Sequence, residues 1–126
     1  MDRSKKMTET ESEIMEVLWS AEAPMSAAEL IDYFAAHHGK SWKASTLATF
    51  LSRLSEKGLV DSARRGRVPY YRPIQTKTSY RQSIAQEVLD TMYQGSVTKF
   101  FAALCGDTPL SDKDRAELRA WLDQEV

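Results

Sequence analysis

The stretch STLATFLSRLSEKGLV, residues 45–60, carries two stripes of opposite character on a single helical period. Leu47, Phe50, Leu51 and Leu54 recur at i, i+3, i+4 and i+7, the spacing that lines one side of a helix with apolar groups. That side requires a core. Thr49, Ser52, Arg53 and Glu56 repeat the spacing two residues later, about 200° around the axis at roughly 100° per residue. The second side is polar, and its side chains next to the backbone are short. A helix with this division is anchored through one face and presents the other.

The flanking sequence supplies the anchor. Thr8 with Glu11 has the spacing of a capping box, and Ile14, Val17 and Leu18 follow as an amphipathic stripe, which predicts a first helix over residues 8–20. AEAP then interrupts the pattern. Ser26 with Glu29 opens a second helix that buries Leu30, Ile31 and Phe34 and ends near His38, before Gly39. The third helix starts near Lys43 and stops at Gly58, a residue suited to the left-handed conformation. LVDSARRGRVPYYRPI next reads as two strands, 59–63 and 68–72, around an Arg-Arg-Gly-Arg turn, with Pro69 marking an edge.

A second helical block follows. Ser79 with Gln82 has capping-box spacing ahead of a stripe of Ile84, Ala85, Val88, Leu89, Met92 and Tyr93 that closes at Gly95. Val97, Phe100, Phe101 and Leu104 supply a short helix, and Ser111 with Asp114 opens a last one carrying Leu118, Trp121 and Leu122. The expected organisation is a tail over residues 1–7, a first domain over 8–75 and a helical region over 76–126. The fold class is mainly α with a small β-hairpin (α+β).

The formal net charge of −1 conceals an uneven distribution. Residues 1–39 hold three basic and eight acidic side chains, residues 40–72 eight and two, and residues 73–126 six and eight. The middle third is a basic island. Clustering of this kind is the electrostatic footprint of a nucleic-acid surface, although basic runs also occur as plain solvated faces.

Other classes find little support. The apolar stretches are far shorter than the roughly 20 residues of a membrane span, and MDRSKKMTETES has no apolar segment after its lysines, so residence in the cytoplasm is expected. One cysteine, Cys105, cannot form an intrachain disulfide or a cysteine-built metal cluster and is expected to be buried. His37 and His38 are adjacent, about 100° apart on a helix, and so do not chelate as an i, i+4 pair does; at a helix C-terminus they complement the dipole. No phosphate-cradling glycine loop, activated nucleophile or paired-carboxylate site is apparent, so no cofactor, metal or enzymatic activity is expected.

Three helices followed by a hairpin with a basic tip is the element order of a winged helix-turn-helix, in which the third helix enters the major groove. Short side chains let a helix axis approach base edges, and hydroxyls and small apolar groups can read them. Ser45, Thr46, Ala48, Thr49 and Ser52 are the base-reading candidates. Lys40, Lys43, Arg53, Arg64, Arg65 and Arg67 are the phosphate-binding candidates, supplying affinity and register. A winged helix used only as a protein–protein module is the alternative, against which the three arginines of the turn weigh.

WKASTLATFLSRLSEKGLV followed by RRGRVPYYRP resembles the penicillinase-repressor family (BlaI/MecI/CopY) of bacterial winged-helix regulators, in Trp42, Thr46, Thr49, Leu51, Arg53, Leu54, Lys57, Gly58, Gly66, Arg67, Tyr71 and Pro73. ESEIMEVLW, residues 11–19, resembles the family's first helix. The resemblance implies a transcriptional repressor that binds a dyad-symmetric double-stranded operator as a homodimer, with its C-terminal helices pairing the subunits. Ile84, Val88, Leu89, Met92, Phe100, Phe101, Leu104, Leu118, Trp121 and Leu122 are the interface and local-core candidates, undivided between those roles. Packing of the tail wholly on its own first domain is the other arrangement open to these stripes.

The chain departs from the family at Lys43, where a capping Ser is frequent, at Ala48, where an Arg is frequent, and at Pro69, where an aromatic is frequent. The operator it reads need not be the family's usual one. In the copper-responsive branch the C-terminus carries paired cysteines, and Cys105 is alone here. In the β-lactam-responsive branch a membrane sensor-protease system triggers cleavage of an Asn-Phe bond, whose position here is taken by Ala103-Leu104. This mismatch leaves the inducing step open.

Overall fold

The computed structural model describes residues 6–124. Its elements run α1 (Glu9–Ser20), β1 (Met25–Ser26), α2 (Ala27–His38), α3 (Ala44–Glu56), β2 (Val60–Arg65), β3 (Val68–Pro73), α4 (Lys77–Tyr93), α5 (Val97–Cys105) and α6 (Asp112–Gln124). The predominantly helical class with a small antiparallel sheet agrees with the sequence reading. Of the tail expected over residues 1–7, residues 1–5 lie outside those described. Met7 packs on the core and the Lys6 carbonyl accepts a hydrogen bond from Lys57 Nζ.

The first two expected capping boxes form. The Glu11 amide donates to Thr8 Oγ1 at 3.2 Å while Glu11 Oε1 accepts from the Thr8 amide at 2.8 Å, and Ser26 with Glu29 repeats the arrangement at 3.2 and 2.9 Å. Each box satisfies two amides that a helix start otherwise leaves orphaned. Gly39, with φ of 63°, closes α2 in the left-handed region.

The sheet differs from the expected two-stranded hairpin by one strand. Met25 and Ser26 pair with Tyr71 and Tyr70, giving the order β1-β3-β2. Two residues are too short to show alternation, and their partners lie some 45 residues away, so nothing local announces the pairing. β2 and β3 also run further than expected, to Arg65 and Pro73. β3 is central by strand order, yet β1 reaches only Tyr70 and Tyr71, so Pro69 has a neighbour on one side alone, opposite Arg64. That is the position a residue without an N–H tolerates.

The start of α4 also differs. Its cap is Thr76, whose Oγ1 accepts from the Ser79 amide at 3.0 Å and whose carbonyl accepts from the Tyr80 amide at 2.9 Å. Ser79, expected to cap, sits one turn inside. Ser111 does cap α6 as expected, accepting from the Asp114 amide at 3.0 Å.

The chain forms two compact units, one running to Ile84 and one starting at Ala85, so the boundary falls within α4. The first has a single core of Ile14, Met15, Val17, Leu18, Leu30, Phe34, Leu47, Leu51, Leu54, Leu59, Val60 and Tyr80. Trp19 lies tilted against Tyr80 with centroids 5.6 Å apart and donates its indole N–H to the Gln75 carbonyl. The second unit holds α5, α6 and the end of α4, and none of its described side chains is fully buried. Tyr93 meets Phe100 edge-on at 5.6 Å, and Phe100 meets Phe101 likewise. Cys105 is half-buried, not enclosed as expected.

One charged side chain is sealed into the first unit. Glu11 is 1% exposed, and its Oε1 accepts from Lys57 Nζ at 2.6 Å. Burial pushes its carboxyl up, but the hydrogen bond and charge of Lys57, with the Thr8 amide and hydroxyl, outweigh burial and hold it below the ordinary 4.5. A carboxyl that titrates lower when folded stabilises the fold above its unfolded value and loses that contribution as pH falls through the folded value. Urea unfolding from pH 7 to pH 2 should therefore show the wild type losing stability relative to Glu11→Gln below about pH 4.5. Parallel losses in the two proteins would refute the assignment.

Candidate nucleic-acid interface

The leucines of α3 decide what its other side can do. Leu47, Leu51 and Leu54 are buried and Phe50 is half-buried, so α3 is held from one direction. Ser45, Thr46, Ala48, Thr49 and Ser52 are all exposed, and with Arg53 they occupy roughly 160° of arc on the opposite side. The base-reading candidates thus share one open face. Thr49 Oγ1 donates to the Ser45 carbonyl at 3.1 Å, which fixes its rotamer and turns its lone pairs and methyl outward.

The start of α3 is unusual for a helix. Lys43 occupies the N-cap and makes no side-chain capping bond, so the Thr46 and Leu47 amides share its carbonyl at 3.1 Å each. The N-cap lies at the positive end of the helix dipole, where a cationic residue is unfavourable. Side chains that accept a bond at N-cap stabilise helices over those that cannot, typically by about 1 kcal/mol. Lys43 therefore costs the fold something.

The hairpin presents the other cations. Arg65 pairs with Val68, leaving Gly66 and Arg67 as the two-residue loop. Gly66 has φ of 68° whereas Arg67 is not among the left-handed residues, the pattern of a type II′ turn with glycine first. Arg67 therefore stands at the tip. Arg65 lies over the Tyr70 ring, 4.8 Å from its centroid, a diagonal cross-strand contact that steadies the guanidinium. Arg64 points to the other face of the ribbon, because successive strand residues alternate.

Not every residue of the basic island is available. Lys40 Nζ meets Glu13 Oε2 at 2.6 Å and lies 5.4 Å from the Trp42 ring; Lys57 is bound to Glu11; Arg72 faces Asp61 directly across the ladder at 2.8 Å. The Arg72 hydrogen bond and charge outweigh slight desolvation and hold the Asp61 carboxyl below its usual range. Lys43, Arg53, Arg64, Arg65 and Arg67 carry no ion pair among the described residues. Of the six phosphate candidates, Lys40 alone is committed elsewhere. Sequence reasoning missed Tyr70 as the platform for Arg65; an aromatic two residues beyond a turn partner was the available signal.

Competing sites are weak. His37 stacks on Tyr33 at 4.1 Å, His38 lies against Phe34 at 4.8 Å, and no group of three or more His, Cys, Asp or Glu among the described residues is placed to hold a metal ion. In an open groove lined by Trp19, Ile74 and Lys77, the indole is spent on Gln75 and Lys77 on Glu16 at 2.7 Å. No described helix is long and apolar enough to cross a membrane.

The sequence profile of the penicillinase repressor family matches residues 7–124. The chain belongs to this family. It is similar to the penicillinase repressor of Bacillus licheniformis, with 24% identity over 124 residues covering 98% of this chain and 94% of that protein. An uncharacterized 16.5 kDa protein from the ptsI 3′ region of Latilactobacillus sakei is 25% identical over 121 residues, covering 96% and 81% respectively. The solution structure of the DNA-binding domain of the repressor BlaI is 28% identical and superposes with a TM-score of 0.52, covering 64% of this chain and 94% of that domain. Winged-helix architecture and family membership thus agree with the element order. Within this family fold, Lys43→Ser should raise unfolding stability by about 0.5–1 kcal/mol in chemical denaturation, since it adds a cap and removes a misplaced cation; a loss of stability would show that Lys43 has a partner in the fold.

Proposed function

We propose that this chain is a dimeric, sequence-specific repressor that binds a dyad-symmetric DNA operator, with α3 in the major groove and the β2–β3 hairpin against the adjoining backbone. The observation that carries this reading is the leucine-backed face of short side chains on α3, accompanied on α3 and the hairpin by five cations without ion pairs. Short hydroxyl and methyl groups suit base edges, and free cations replace the counterions that phosphates release. Lys40 joins the set only by exchanging Glu13 for a phosphate. The similarity to a BlaI DNA-binding domain supports the same assignment.

The second unit supports the dimer. Met92, Val97, Leu104, Trp121 and Leu122 are 50–64% exposed, an amount of open apolar surface that a second copy would cover. A two-fold pairing needs a self-complementary patch, and the interface candidates Val88, Leu89, Phe100, Phe101 and Leu118 are all half-buried, able to serve both the local core and the pairing surface, whereas Ile84 packs against the core of the first unit. In this reading a membrane sensor-protease system acts on Ala103-Leu104. Both residues are exposed near the end of α5, and a cut there detaches α6 from the pairing surface.

Titration against a duplex enriched by the wild type from a randomised pool, and against unselected duplex, tests the reading. Log K should fall linearly with log salt, by roughly four to five per protomer for five neutralised phosphates. Arg67→Ala should weaken both duplexes alike and flatten the slope by about one. Thr49→Trp should abolish preference for the enriched duplex and leave unselected binding in place. Absence of salt-dependent DNA binding would sink the proposal and leave the protein–protein module. Separately, Trp121→Asp should shift the sedimenting species from two chains to one; an unchanged mass would place the interface elsewhere.

A further inference from the structure

Lys57 sits in the basic island but does not belong to its surface. It is the C-cap of α3, and its ammonium binds Glu11 Oε1 at 2.6 Å and the Lys6 carbonyl at 3.0 Å. Glu11 is buried, and the same Oε1 closes the capping box of α1 with the Thr8 amide. One carboxylate oxygen therefore ties the first turn of α1 to the C-cap of α3. The other oxygen, Oε2, is buried with no hydrogen-bond partner among the described residues, so the carboxylate keeps its charge at a desolvation cost.

We propose that the Glu11–Lys57 pair is a positioning device that sets the axial rotation and seat of α3, and through it the discrimination between DNA sequences. This rests on the DNA-binding reading above. Leucines bury without direction: Leu47, Leu51 and Leu54 give α3 a side to face the core but tolerate small rotations and slides. A buried ion pair is directional and breaks even, or does worse, against apolar replacements in stability; its best-attested use is fixing register. Placed at the end of α3, beyond the last leucine, it acts on the lever where angular error is largest. Base-edge contacts tolerate less displacement than phosphate contacts made by long flexible side chains. Misplacement of α3 should therefore degrade preference before it degrades affinity.

The test uses the full chain and the two duplexes above, at one salt concentration and then across a series. Glu11→Gln/Lys57→Met removes both charges and retains an oxygen for the Thr8 amide. Its preference for the enriched duplex should fall about tenfold, the scale of one base-edge contact, while unselected binding and its salt slope stay at wild-type values. Lys57→Arg, which keeps the pair, should retain preference. If the double variant does not fold by circular dichroism, Glu11→Gln alone carries the test, with a fall of about threefold expected on the same argument. A folded variant with undiminished preference overturns the inference. So does a slope flattened by about one, because Lys57 would then be a phosphate contact. If the wild type itself shows no preference, the DNA-binding reading fails first, and that outcome is distinct from the other two.

Discussion

Burial of the leucines along one side of α3 is the interaction on which the rest depends. Leu47, Leu51 and Leu54 join Ile14 and Leu18 of α1 and Leu30 and Phe34 of α2 in one core. Each contributes about 1.5–3 kcal/mol by leaving water. Because that energy is collected on one side, the opposite side is free of packing duties, and its residues are chosen by something other than stability. Ser45, Thr46, Thr49 and Ser52 are mediocre helix formers, which the leucines offset.

Charge is organised around the same core. Three acids of α1, Glu11, Glu13 and Glu16, each hold a lysine from a different segment: Lys57 at the end of α3, Lys40 after α2 and Lys77 at the start of α4. The acidic excess of the first third and the basic excess of the middle third are thus partly two halves of one set of ties. The two partly exposed pairs, Lys40–Glu13 and Lys77–Glu16, are worth little in stability, but all three pairs sort the cations. Lys40, Lys57 and Lys77 are paired, and between residues 40 and 72 the cations without an ion pair among the described residues are Lys43 and the four arginines of α3 and the hairpin. Arginine's planar fork suits phosphate oxygens, whereas lysine serves well as a point charge against a single carboxylate.

Much of this was legible in the sequence, and the division follows the range of the forces. Capping boxes at Thr8 and Ser26, the stripe of α3 and the Gly66 turn are local patterns, fixed within a few residues by sterics and hydrogen bonding. What was missed is non-local. Met25 and Ser26 become a strand only because Tyr70 and Tyr71 arrive beside them. Thr76 rather than Ser79 caps α4, next to a Gln75 carbonyl held by Trp19, 56 residues earlier. Lys40 and Lys57 were counted with the island because the partner of a lysine cannot be inferred from its neighbours in sequence. Arg65 was assigned by its charge, and its seat on Tyr70 emerged only with the strand register.

The two units differ in how their folding can be supported. Every fully buried apolar side chain among the described residues lies at or before Tyr80. The first unit has its own core, whereas the second, some 40 residues from Ala85, has aromatic contacts among Tyr93, Phe100 and Phe101 but no enclosed side chain. Segments of that size seldom stand without added burial. Pairing with a second copy would supply it, and the order of α5 and α6 would then depend on chain concentration. Under the proposed pairing, affinity for a two-fold site and the integrity of the second unit would rise and fall together, because the same apolar surface, open in one copy, would serve both. A change that loosens α5 or α6 would thereby release DNA without touching α3.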